Sequence, residues 1–146
     1  MTAGGSGNMA PMELQAAMRD KFAPWIQALD LRIEKLDRDG VVMRMPYSDR
    51  LCRTGGLICG QALMALADTC MVYVATAAVG GFREMATANQ NTSFFRPVVG
   101  KDVIARGRAV KTGRLLIFGE VTLHADGDDR PVAQATLTYA LPPERG

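Results

Sequence analysis

The run Cys59-Gly60-Gln61-Ala62-Leu63-Met64-Ala65-Leu66-Ala67-Asp68-Thr69-Cys70-Met71-Val72-Tyr73-Val74-Ala75-Thr76-Ala77-Ala78-Val79-Gly80-Gly81 decides how this chain folds. Ala, Leu, Met and Val dominate it, and it lacks a wide polar face. A helix that is apolar nearly all round must be buried on most sides. The run therefore predicts a long central helix from Cys59 to Val79, with Gly80-Gly81 as its stop. Asp68, Thr69 and Thr76 interrupt the apolar stretch, which argues against a membrane span of about 20 mostly apolar residues.

Outward from that helix the period changes. On the N-terminal side, residues 1–10 carry no apolar pattern and read as a flexible leader, so a single domain is expected over residues 11–146. Met12, Gln15, Ala16, Arg19 and Phe22 follow helical spacing after Pro11, and Pro24-Trp25 ends or redirects that helix. Leu29, Leu31, Ile33 and Lys35 alternate with Asp30, Arg32 and Glu34, the pattern of a half-buried strand. Asp39-Gly40 predicts a hairpin into residues 41–45, which Pro46 closes. Residues 47–58 are a loop containing Gly55-Gly56. On the C-terminal side come four strand-like runs, roughly 85–95, 102–111, 114–125 and 131–141. Short turns separate them, so an antiparallel meander is expected. The fold class is α+β, an antiparallel sheet of about six strands wrapped around a long central helix. Such a layer leaves sheet edges and part of the helix open to a partner.

Composition narrows the function classes. A length of 146 residues suits one domain, and 48% hydrophobic with 22% charged residues excludes disorder as the main state. Seventeen Lys+Arg against fifteen Asp+Glu give +2, too mild a charge to point to nucleic acid. Between Arg96 and Arg114, however, stand Arg96, Lys101, Arg106, Arg108, Lys111 and Arg114 against Asp102 alone. That stretch suits either a phosphate-bearing ligand or the solvated face of a strand pair. Cys52, Cys59 and Cys70 match no redox or zinc spacing. The opening residues lack the charged and apolar regions of a signal peptide, so a cytoplasmic location is expected.

The only histidine, His124, shares the polar side of its strand with Glu120 and Thr122, a surface position. A His-based triad and a multi-imidazole metal site are therefore excluded. What remains is Asp68, a carboxylate in the middle of an apolar helix, which must be paired or face water. At the start of that helix, Gly60 offers a backbone N–H backed by the helix dipole, a stabiliser of negative charge on an oxygen. Gly60 and Asp68 are about 12 Å apart along one helix. One reacting carbonyl needs both within a few ångströms, so the two cooperate only if antiparallel helices of two chains meet. Gln61 lies on nearly the same helical stripe as Asp68, the stripe that would face the partner.

The run Gly60 to Thr69, the Gly-Gly stop and Phe94-Phe95-Arg96-Pro97 resemble the hotdog-fold acyl-CoA thioesterases, most closely the PaaI-like branch of the phenylacetate pathway. The Lys111-Thr112-Gly113-Arg114 turn fits the same family. The resemblance covers roughly residues 25–141 in element order. It implies a hotdog fold and hydrolysis of a small, aromatic or medium-chain acyl-CoA. The Gly60 amide would polarise the thioester carbonyl, and Asp68 of a partner subunit would act as nucleophile or general base. It also implies a homodimer or dimer of dimers, with no cofactor, metal, nucleic acid or membrane. The family often has His-Gly-Gly at the helix start and an Asn or Gln six residues earlier. Here Cys59 and Arg53 take those places, with Gln61 as a replacement hydrogen-bonding group. Thr69 beside the acid and Arg96 and Arg114 toward the coenzyme phosphates belong to the expected binding surface. The polar strand residues Thr87, Asn89, Asn91 and Ser93 share one face, which either lines the ligand cleft or is the wet side of the sheet, and Asn89, Asn91 and Ser93 are carried as candidates for the cleft. The two departures leave a second reading, a non-catalytic module that binds acyl-CoA or a protein. A dehydratase on the same fold is a third, weakened by the position of His124.

Overall fold

The computed structural model describes residues 10–143, so the expected leader lies outside the described residues except for Ala10. The chain runs through helices α1 (Pro11–Met18) and α2 (Pro24–Gln27), strands β1 (Arg32–Asp37) and β2 (Gly40–Met45), helix α3 (Gly60–Val79), and strands β3 (Ala86–Phe94), β4 (Val103–Thr112), β5 (Leu116–Ala125) and β6 (Pro131–Ala140). All pairings are antiparallel, and the six strands form one sheet in the order β1-β2-β4-β5-β6-β3.

Helix α3 touches all six strands, so the sheet wraps around it as expected. Leu66, Ala67, Cys70, Met71 and Ala75 on the helix are fully buried, against Ala105, Ile117, Val121, Ala133 and Ala135 on the sheet. The central strands approach closely because two positions lack a side chain. A Cβ on Gly107 would lie 2.8 Å from the Val74 side chain and 2.9 Å from the Cys70 sulfur, and one on Gly119 would lie 2.5 Å from the Met71 sulfur. Gly80 ends the helix in the left-handed conformation at φ 83°. By length and composition α3 equals a membrane-crossing helix, but 67% of its apolar window is buried inside this protein. It is the core helix.

Three sequence expectations are corrected. First, the helix begun at Pro11 ends at Met18 and continues as a 3-10 turn over Arg19–Lys21. Gln15 fixes this segment: its amide donates to the Leu31 carbonyl at 2.6 Å and accepts from the Ile33 N–H at 2.8 Å. That side chain satisfies the open edge of the sheet as a neighbouring strand would. Second, β1 starts at Arg32 because Asp30 turns the chain at φ 56°. A bulge between Ile33 and Lys35 then reverses the alternation, so Leu36 faces Val41 and Lys35 is turned outward. Third, only β4, β5 and β6 form a meander. β3 crosses to the far side of β6 and becomes an edge strand, with no partner on its other side among the described residues.

On the outer face, Arg44 binds the carboxylates of Glu34, Asp126 and Asp102 at 2.7, 2.8 and 2.9 Å. Asp102 also accepts the Tyr47 N–H at 2.7 Å, which fixes the chain as it leaves β2. The Tyr47 amide, followed by Arg44, holds the Asp102 carboxyl below its ordinary range. Its stabilising contribution is therefore complete above the unfolded value of about 4 and is lost as the pH falls through the lower folded value. Asp102→Ala is expected to cost about 1–2 kcal/mol at neutral pH. In urea melts the gap to wild type should close as the pH drops below that of an ordinary carboxylate.

Candidate active site

Asp68 is the ninth of the 20 residues of α3, near the middle of the helix, and half-buried. Its Oδ1 accepts hydrogen bonds from the Thr87 hydroxyl at 2.9 Å and the Tyr139 hydroxyl at 2.5 Å. The Tyr139 proton is shared with the Asp68 backbone carbonyl at 2.7 Å. Its other carboxylate oxygen, Oδ2, has no partner among the described residues. The cost of a mid-helix carboxylate is thus met by two neutral donors and not by an arginine. Both donors come from the sheet, where Thr87 pairs with Tyr139 across β3 and β6. Burial, and then the Asp68 charge, push the Tyr139 phenol far above its ordinary value, so it stays a donor. Tyr139→Phe removes a hydrogen bond to a charged group and is expected to destabilise the fold by about 1.5–3 kcal/mol in thermal or urea melts.

Asp68 opens onto a cavity of about 390 Å³, walled by Thr69, Val72, Phe22, Phe82 and Met85. The first turn of α3 is at a distance from it. Gly60 is the first helical residue, after Cys59 in extended conformation at φ −70°, ψ 152°. The amides of Ile58 and Cys59 are bonded to Val98 and Leu51, but the Gly60 N–H has no acceptor among the described residues. A Cβ on Gly60 would lie 3.5 Å from the Phe94 ring, an ordinary contact. The two expected groups are therefore both available and, within one chain, not together.

The remaining expected site residues are scattered. Thr69 is buried beside Asp68, and Cys59 is half-buried at the helix start. Gln61 is exposed on the outer stripe with Met64, which is 38% exposed. Arg53 is exposed, its guanidinium donating to the Thr54 carbonyl at 3.4 Å. A bulge between Thr87 and Asn89 separates the strand residues that were expected to share a face. Thr87 lies on the helix side with Tyr139, whereas Asn89, Asn91 and Ser93 pair with Thr138, Thr136 and Gln134 on the outer side. Gln90 takes the inner position, its amide donating to the Met64 carbonyl at 3.1 Å.

The basic stretch is also dispersed. Arg96 donates to the Pro131 carbonyl at 2.9 Å. Arg108 pairs with Glu120 at 2.7 Å, and Arg106 donates to His124 Nε2 at 3.3 Å. Arg114 is in the β4–β5 hairpin, at the end of the sheet where Ala86 meets Ala140. Arg96 follows Phe94 at the other end. Eight strand residues separate the two ends, on the order of 26 Å. One chain does not bring both arginines to one phosphate group.

His124 is a further correction. It is on the outer face as expected but only 9% exposed, because Arg106 from the adjacent strand lies over it. Its Nδ1 is 3.0 Å from the Ala125 carbonyl. It also lies at the sheet end remote from Asp68, which removes it as a partner for the acid within the chain. Among the described residues no cluster of His, Cys, Asp or Glu is arranged to hold a metal.

Comparison with known proteins places this architecture. The family model described as "Thioesterase superfamily" matches residues 55–132, the span that holds α3 with Asp68, strands β3, β4 and β5, and the start of β6. The chain belongs to the thioesterase superfamily. A solved structure from Silicibacter sp. TM1040, titled a "putative thioesterase", is 32% identical over 91% of this chain and 92% of its own, with a TM-score of 0.80. A Thermoplasma acidophilum protein named "putative esterase" is 25% identical over 122 residues, which are 80% of this chain and 87% of its own. The PaaI protein of Escherichia coli, from the phenylacetic acid degradation operon, is 16% identical over 96% of each chain. Its TM-score of 0.79 shows that this thioesterase-superfamily chain has the PaaI fold, the hotdog fold. Of the two residues that hold the acid, Thr87 had a sequence signal only as one of four polar strand residues on a shared face, with no role on Asp68 expected, and Tyr139 had none.

Proposed function

We propose that this protein hydrolyses acyl-CoA thioesters at two equivalent sites, each shared between two copies of the chain. The observation that carries the reading is the Asp68 carboxylate, held at Oδ1 by Thr87 and Tyr139 and left free at Oδ2 beside a cavity. A carboxylate so placed either attacks the thioester carbon or takes a proton from an attacking water. With water as the attacking group, the bond to sulfur breaks and the proton taken by Asp68 passes to the departing thiolate. With Asp68 as the attacking group, the thiolate leaves and the acyl group stays on the carboxylate as an anhydride; water then cleaves it to the free acid and supplies the thiol proton. The oxygen of the substrate carbonyl gains negative charge, and the free Gly60 N–H is the donor suited to it.

The course of β3 supports the shared site. Thr87 lies against Asp68, Gln90 against Met64 and Phe94 against Gly60, so β3 runs antiparallel to the first half of α3. Its outer edge is unpaired among the described residues, and its side chains are mostly exposed. A second copy adding its own β3 antiparallel to this edge, centred near Gln90 and Asn91, brings Gly60 of one chain to Asp68 of the other. The same two-fold operation puts Arg96 of one copy at the end that carries Arg114 of the other. Each site then draws phosphate-binding arginines from both chains. The exposed Leu116 and Phe118 on the outer sheet face offer a second contact for a dimer of dimers.

Thiol release from a panel of small, aromatic and medium-chain acyl-CoAs tests the reading. Turnover of at least one member is expected. The second reading, a module that binds acyl-CoA without cleaving it, is favoured by Cys59 and Arg53 in place of the supporting His and Asn or Gln. Tight binding with no thiol released establishes that reading instead.

A further inference from the structure

Among the described residues, no lysine or arginine pairs with the Asp68 carboxylate. Lys21 is the one cation on the wall of its cavity, and its ammonium stands 4.3 Å above the centre of the Phe82 ring instead. The orientation of the acid therefore rests on two neutral hydroxyls, and these are not equivalent. Thr87 is an exposed residue of the edge strand β3, beside a bulge, and it bonds Oδ1 alone. Water from the cavity can take over such a bond. Tyr139 is 2% exposed, and its strand is paired on both sides, with Thr87 of β3 and Ile117 of β5.

The Tyr139 hydroxyl also does more than donate to the acid. It is 2.5 Å from Oδ1 and 2.7 Å from the backbone carbonyl oxygen of the same residue. A phenol has one proton. Two acceptor oxygens of Asp68, one charged and one partly so, thus converge on a single donor. Without that donor they repel each other, and the carboxylate turns away from its own carbonyl toward water. The phenol therefore holds the side chain in an orientation that it would not keep by itself. With Oδ1 drawn back against the helix backbone, Oδ2 is the oxygen left to the cavity. Misplacing a reacting group by about 1 Å costs on the order of 10²-fold in rate, so this hold bears on the chemical step.

We propose that Tyr139 is a positioning residue of the reaction: its one proton, shared between the carboxylate and the backbone carbonyl of Asp68, aims Oδ2 at the substrate. Tyr139 touches no reacting atom in this role. Its loss slows the chemical step and leaves substrate binding intact. The inference rests on the reading of Asp68 as the reacting acid and adds the group that makes it competent.

Tyr139→Phe is assayed for thiol release well below its own melting temperature, and its crystal structure is compared with that of the wild type. The expected result is a kcat lower by about tenfold or more with KM close to wild type, and a carboxylate turned away from the position it holds beside the phenol. Placing 4-aminophenylalanine at position 139 keeps a donor at the end of the ring and is expected to recover most of the lost kcat. A smaller loss in Tyr139→Phe, a KM that rises in step with the loss, or a loss that 4-aminophenylalanine leaves unrepaired overturns the proposal. So does a carboxylate that keeps its place without the phenol. Should Tyr139→Phe not fold, 4-fluorophenylalanine, which fills the space of the hydroxyl and cannot donate, is measured against the same criteria. If the wild type cleaves no thioester, the thioesterase reading fails and the crystal structures decide for Tyr139. A turned carboxylate then upholds its hold on Asp68, and an unmoved one overturns it.

Discussion

Asp68→Asn is expected to lower acyl-CoA hydrolysis by roughly 10²–10⁴-fold while the protein keeps its fold and its oligomeric state. The substitution is nearly isosteric. The Asn carbonyl oxygen can occupy the position of Oδ1 and accept from Thr87 and Tyr139, the two donors that hold the acid in place. What is lost is the charge and basicity at Oδ2, the oxygen without a protein partner. A neutral amide neither attacks a thioester carbon at a useful rate nor removes a proton from water. The measurement is thiol release at saturating and limiting substrate, with circular dichroism melts and gel filtration on the same preparations. The expected pattern is a fall in kcat and in kcat/KM together, with substrate binding preserved, because the missing group acts at the transition state. Wild-type turnover in Asp68→Asn would remove this residue from the mechanism, and with it the assignment of the site.

Much of this architecture was legible because its signals are local. The unbroken apolar run from Ala62 to Ala67 and from Cys70 to Ala75 allows only a buried helix, and Gly80 marks its end. The strands after it show period two and are separated by turn residues. Asp68 stood out because a carboxylate inside such a run needs a reason. The features that were not legible depend on contacts between distant parts of the chain. β3 passes β4 and pairs with β6, a choice made by the non-local match of residues 86–94 to 133–140. The bulges after Ile33 and Thr87 each move side chains to the opposite face, and nothing in the local pattern marks them. The bond from Tyr139 to Asp68 spans 71 residues. His124 looked exposed by its alternation, but the length of Arg106 on the neighbouring strand covers it. A period shows which face a residue takes; it does not show what a long side chain from the next strand lays over that face.

Gly60→Pro provides the complementary result and tests the sharing of the site. Gly60 is the first residue of α3, where proline is well tolerated because its missing N–H has no intrahelical acceptor. Cys59 before it is already in the extended conformation that a following proline requires. The nearest side-chain atoms to a Cβ at this position are those of the Phe94 ring, at 3.5 Å. The variant therefore deletes one backbone donor and little else. Loss of one oxyanion donor is expected to lower kcat about 10²–10³-fold with the melting temperature close to wild type. Gly60→Pro and Asp68→Asn are then each nearly inactive alone. If each site takes Gly60 from one chain and Asp68 from the other, a mixed dimer holds one site with both defects and one intact site. Equal amounts of the two variants, unfolded and refolded together, yield about half mixed dimers, so about a quarter of wild-type activity is expected to return. Sites contained within a single chain would give no recovery, because every site would carry one defect or the other. The refolded mixture distinguishes these arrangements in one thiol-release assay, with separately refolded variants as the zero and wild type as the full scale.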